Sequence, residues 1–137
     1  MTRVRINALL VISLCGVAFP GGVSGHHSIQ AQFDINKTLT ISGTVARVEY
    51  INPHSYLTLN VEGADGKIEK WAFEMTGAGA LRRAGLSRAD RGGLKNGDEV
   101  TVTALAARDE SNSGLAQRIE TTDGRVFKLA PEPGQKE

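Results

Sequence analysis

The feature that most constrains this chain is a two-residue hydrophobic period, cut into short runs by Asp-Gly turns. Ile41, Gly43 and Val45 alternate with polar residues, and Val48 and Tyr50 resume the alternation after an offset of one. Such an offset is what a β-bulge produces. Leu57, Leu59 and Val61 alternate with Tyr56, Thr58 and Asn60, and Asp65-Gly66 then supplies a hairpin turn. Across that turn Trp71, Phe73 and Met75 take one face of a third strand, which predicts a three-stranded meander.

A break at Thr76 to Gly79 is followed by Ala80 to Ala84, which reads as a short helix closed by Gly85. Ser87 is a candidate cap for another turn before Gly92-Gly93. Gly97-Asp98 leads into a strand over Glu99 to Ala107, with Val100, Val102 and Ala104 expected inward. Asp109 to Gly114 is a polar loop, and Leu115 to Thr121 and Arg125 to Leu129 flank the hairpin signal Asp123-Gly124. The fold class that follows is mainly β: a small OB-like Greek-key barrel of five to six strands, with one short helix between strands three and four. An open sandwich is the alternative, and either fold hosts many functions.

The N-terminus decides what the mature domain contains. Arg3 and Arg5 precede an apolar run from Ala8 to Phe19, which Pro20, Gly21 and Gly22 break. This is the layout of a secretory signal peptide, expected over residues 1–25, and it points to a periplasmic or secreted protein. The run falls short of the roughly 20 residues of a spanning helix, so no permanent membrane anchor is expected. Small residues in Val23-Ser24-Gly25 and in Gly22-Val23-Ser24 allow cleavage after Gly25 or after Ser24. Leu14 before Cys15 is larger than lipoprotein processing expects, which disfavours lipidation.

Cleavage would remove the single cysteine, and with it any disulfide or thiolate chemistry. Loss of Arg3 and Arg5, with no acidic residue, takes the balance from 16 basic against 15 acidic to 14 against 15. A near-neutral domain offers no electrostatic footprint for a nucleic-acid backbone. The expected divisions are an N-terminal segment over 26–37, one barrel domain over 38–130 and a disordered, proline- and charge-rich tail over 131–137.

All three histidines fall in His26-His27-Ser28 and Asn52-Pro53-His54. Imidazole suits copper, nickel and zinc, and copper(II) favours nitrogen in a square plane. Cleavage after Gly25 would let the amine and imidazole of His26 chelate one metal, with His54 as the histidine outside the terminal pair able to add a nitrogen. Cleavage after Ser24 would leave Gly25-His26-His27, whose amine, two deprotonated amides and His27 imidazole form a four-nitrogen plane. The candidate metal residues are therefore His26, His27 and His54, with copper ahead of zinc or nickel. Asp34, Glu49 and Glu74 are further carboxylate candidates that would shift the preference toward zinc. The plainer reading makes Asn52-Pro53-His54 a turn and the terminal pair exposed and unliganded.

A second hypothesis uses the barrel face. Tyr50, Asn52, Tyr56 and the Asn112 loop are candidates for gripping a small ligand or peptide without metal. Arg82, Arg83, Arg88 and Arg91 form a basic patch able to hold a phosphate or carboxylate, although Asp90 among them favours a solvated surface. No phosphate loop, nucleophile setting or catalytic carboxylate pair is recognisable, so the expectation is a binding protein and not an enzyme.

His26-His27-Ser28, Phe33-Asp34, Gly43-Thr44-Val45, Asn52-Pro53-His54, Trp71, Leu81-Arg82-Arg83 and Gly97-Asp98-Glu99-Val100 together resemble a family of small exported bacterial proteins, domain of unknown function 6152. The likeness spans residues 24 to 129 and is specific in combination. It implies export and a small β-barrel, and no established activity. The Arg91-Gly92-Gly93 linker is looser than the short turn expected before the Gly-Asp strand, which puts the second helical turn in doubt.

Overall fold

The computed structural model describes residues 28–130, so His26, His27 and the expected signal peptide and tail lie outside the described residues. The fold is mainly β. Strands β1 (Phe33–Glu49), β2 (His54–Glu62), β3 (Ile68–Thr76), β4 (Glu99–Ala107), β5 (Ser113–Thr121) and β6 (Val126–Lys128) form one sheet in the order β3-β2-β1-β4-β5-β6. Neighbours in that order run antiparallel. Strand β3 also pairs with β5 in parallel, through Ala72–Ser113, Phe73–Gly114 and Glu74–Leu115, so each of β1 to β5 is bonded on both sides. Among the described residues, no helix is long and apolar enough to cross a membrane.

The alternation becomes the core. Leu57, Leu59, Phe73, Met75, Val100, Val102, Ala104 and Ile119 are all buried and meet in one cluster, with Trp71 partly buried and stacked 6.0 Å from Phe73. Truncating Phe73 to Ala at such a site costs about 3–5 kcal/mol. The expected offset in the first strand is present as a register shift between Val45 and Arg47, which returns Val48 to the core side. Asp65-Gly66 and Asp123-Gly124 are turns, with Gly66 and Gly124 at φ 77° and 88°. Only glycine takes that conformation at no steric cost.

Helix α2 (Ala78–Arg83) carries Leu81 into the core. Gly85 at φ 85° ends it, and Leu86 N–H donates to the Leu81 carbonyl at 2.9 Å while Gly85 N–H reaches that of Arg82 at 3.1 Å. These are the two bonds of a Schellman cap. The expected second turn is a 3₁₀ segment, Ala89–Arg91, whose N-cap is Arg88 and not Ser87. Ser87 lends its carbonyl elsewhere, as described below.

The alternation gave no hint of helix α1 (Ile29–Gln32), which has no buried residue. Long-range contacts hold it: Arg108 Nε donates to the Gln30 carbonyl at 2.7 Å, and Arg108 N–H to that of Gln32 at 2.9 Å. Phe33 then pairs with Ala107 and packs on Leu105, so β1 starts inside the segment expected to precede the domain.

Candidate functional site

His54 opens β2, opposite Thr76, and Tyr56 stands opposite Glu74. His54 and Glu74 are therefore diagonal neighbours on one sheet face, within reach of each other. The alternation places this pair outward, because Ser55 and Leu57 on one strand and Phe73 and Met75 on the other point into the core. His54 Nδ1 lies 2.5 Å from Glu74 Oε1, with the imidazole 51% exposed and the carboxylate 16% exposed. A hydrogen bond from Nδ1–H to the carboxylate leaves Nε2 as the lone-pair acceptor of this half-exposed ring. Metal-binding histidines are commonly oriented in this way.

The turn that presents His54 is tied from both ends. The buried Ser55 hydroxyl donates to the Ile51 carbonyl at 3.0 Å and accepts from Ile51 N–H at 3.3 Å. Asn52 Oδ1 accepts from Ala78 N–H at 3.1 Å, satisfying a helix-start donor for which Gly77 has no side chain. The structural reading of Asn52-Pro53-His54 as a turn is thus met by Asn52 and Ser55, while the His54 imidazole is turned toward Glu74.

Glu74 also lines a cavity of about 600 Å³ together with Ala31, Gln32, Phe33, Ala107, Arg108, Asp109 and Ser113. Ala31 and Gln32 of helix α1 thus line the same cavity as the carboxylate that holds His54. Among the described residues no group of three or more His, Cys, Asp or Glu is close enough to hold a metal ion.

The four residues expected on a ligand face are divided. Tyr50 and Asn52 line one cleft of about 540 Å³ with Val48, Arg82, Leu86 and Arg88 among its other walls. The Tyr50 hydroxyl is committed to the Ser87 carbonyl at 2.5 Å, and burial raises its pKa, partly offset by the nearby Arg88 charge. Tyr56 lies on the outer face between Glu49 and Glu74, its register partners, and burial followed by those two negative charges raises its pKa. Asn112 is apart from both, donating to Glu69 Oε2 at 3.1 Å while its carbonyl accepts from Ala72 N–H.

Sequence reasoning named Glu74 only as one of three carboxylates. Its partnership with His54 depends on strand register, which the hairpin turn at Asp65-Gly66 sets from a distance. The basic patch also resolves into two parts: Arg82, Arg88 and Arg91 line the cleft, and Arg83 does not.

No curated protein matches the chain. Residues 14–117 match the model of a family described as a family of unknown function, DUF6152. That match covers most of the sequence and includes the His pair, the His54 turn, both cavities' principal residues, strands β1 to β4 and the start of β5, and the chain belongs to this family.

Proposed function

We propose that this chain is a small exported binding protein, built on an OB-like Greek-key barrel, that holds copper through His54 and the N-terminal pair His26 and His27. The barrel reading is supported by the parallel pairing of β3 with β5, which joins the two arms of the sheet around one core. Export is supported by the basic start, the apolar run and the Pro-Gly-Gly break before small residues.

The single observation that carries the metal reading is the His54–Glu74 pair, a half-exposed imidazole held through Nδ1 by a carboxylate. The fold adds a means of completing the site, since Ala31 and Gln32 share a cavity with Glu74. From Ala31 back to His27 is four residues of chain, an extended reach of about 13 Å. In this reading Glu74 orients the ring, and a nitrogen-rich set favours copper over zinc.

The test is a Cu(II) titration of the naturally exported and processed protein, with intact mass defining its N-terminus and electron paramagnetic resonance reading the ligands. One equivalent bound tightly, with a nitrogen-rich axial spectrum that changes in His54→Ala, is the expected result. A spectrum indifferent to His54→Ala would reduce the site to a terminal chelate, and no tight binding would overturn the reading.

A further inference from the structure

The cleft beside α2 is lined by three arginines. Its walls carry three guanidinium groups, from Arg82, Arg88 and Arg91, and no carboxylate. Asp90, which in sequence looked like their counter-charge, lines a neighbouring cavity with Arg88 and Lys95 instead. Several cations elsewhere are paired: Arg47 with Glu49 at 2.9 Å, Lys67 with Asp65 at 2.8 Å and Arg125 with Asp123 at 2.9 Å. Among the described residues, none of the three cleft arginines forms an ion pair with a carboxylate.

Three like charges gathered around one concavity repel one another, and a bound anion relieves that repulsion. The setting strengthens the effect, because Leu86 is fully buried and Val48 is half-buried, giving the cleft an apolar floor. Its walls are held in place without using the arginine side chains. Tyr50 bonds to the Ser87 carbonyl, Asn52 to Ala78 N–H, and Gly93 N–H to the Arg88 carbonyl at 3.1 Å. The volume of about 540 Å³ is that of a small-molecule site.

We infer that the cleft between α2 and the 3₁₀ segment binds a small, multiply charged oxyanion through the guanidinium groups of Arg82, Arg88 and Arg91. Each planar fork matches two oxygens of a phosphoryl or carboxylate group. Net charge close to neutral means that this attraction is local to the cleft and does not belong to the molecule's overall field. The site is independent of copper, since none of its residues is a proposed metal ligand.

The experiment is calorimetric titration of the metal-free full chain with pyrophosphate and, separately, with citrate at low ionic strength. Saturable binding of one equivalent is expected, weakening as salt is added. Arg82→Gln and Arg88→Gln should each lower affinity about tenfold or more, the loss of one charge-assisted hydrogen bond. Arg83→Gln makes the same charge change on the same helix at a residue that does not line the cleft, and should lower affinity less than Arg82→Gln does, the more so as added salt screens its longer-range contribution. Tighter binding of pyrophosphate would assign a phosphoryl ligand, and of citrate a polycarboxylate. No saturable binding of either anion overturns the inference, as does an equal loss in Arg83→Gln, which would mark nonspecific attraction. Thermal melting of each variant, expected unchanged for these exposed side chains, separates lost binding from lost fold.

Discussion

His54 Nδ1 and Glu74 Oε1 lie 2.5 Å apart across the β2–β3 hairpin, two register positions from being directly opposed. The pair is half-exposed on the histidine side, so its contribution to folding is small. Glu74→Ala is expected to change stability by under about 1 kcal/mol. Its effect on Cu(II) affinity should be about 10–100-fold, because the carboxylate fixes the orientation of the ring. Denaturant titration alongside copper titration checks both, and an affinity unchanged by Glu74→Ala would remove the carboxylate from the site.

Tyr50 links strand β1 to the loop after α2 through its hydroxyl bond to Ser87. Tyr50→Phe should cost about 1 kcal/mol and lower the melting temperature by a few degrees. The pH dependence follows from the raised phenol pKa values of Tyr50 and Tyr56. The unfolded chain loses these protons first, so the stabilisation is full below about pH 10 and is lost as pH rises through the folded-state values. Urea midpoints followed up to about pH 11 should fall, and Tyr50→Phe should flatten that fall.

The β5–β6 turn behaves in the opposite sense. Hydrogen bonds from Arg125 and from the Thr121 hydroxyl lower the Asp123 carboxyl to about 2. A depressed folded-state value means that the stabilisation is present above the ordinary carboxylate pKa of 3.8 and disappears as pH falls toward about 2. Asp123→Asn should therefore reduce the dependence of melting temperature on pH across that window. An unaltered acid limb in the variant would show that the turn carboxylate is not its source.

Gly93 sits where a Cβ would lie 1.7 Å from the Ser87 carbonyl oxygen. The obstacle is backbone, and the same oxygen accepts the Tyr50 hydroxyl, so neither partner can yield without losing that bond. Gly93→Ala is expected to cost about 1–3 kcal/mol or more, the range of core overpacking. A thermal melt checks this directly, whereas Gly79→Ala, where the added Cβ would meet an Arg83 side-chain nitrogen at an ordinary contact distance of 3.9 Å, should be far milder.

What the sequence by itself determined is local. Alternation at Leu57–Val61, Trp71–Met75 and Val100–Ala104 reveals strands and their buried faces, because side chains on a strand repeat every two residues whatever lies beyond. The bulge near Val45, the Asp-Gly turns and the Gly85 helix end are legible for the same reason. Each is a conformational preference of a few adjacent residues. Helix α1 escaped that reading because its stability comes from Arg108, far along the chain. Ser87 is not the cap because the 3₁₀ segment begins one residue later, with Arg88 at the cap position, and the Ser87 carbonyl instead accepts from Tyr50, thirty-seven positions away.

Only the tertiary structure decided which residues meet. Register placed Glu74 beside His54, the β3–β5 pairing joined Ala72 to Ser113, and the path of the chain after Gly85 put Arg82, Arg88 and Arg91 around one cleft while leaving Arg83 outside. Such juxtapositions depend on which strand pairings bury the most apolar surface for the whole domain, and that is a property no short window of residues contains.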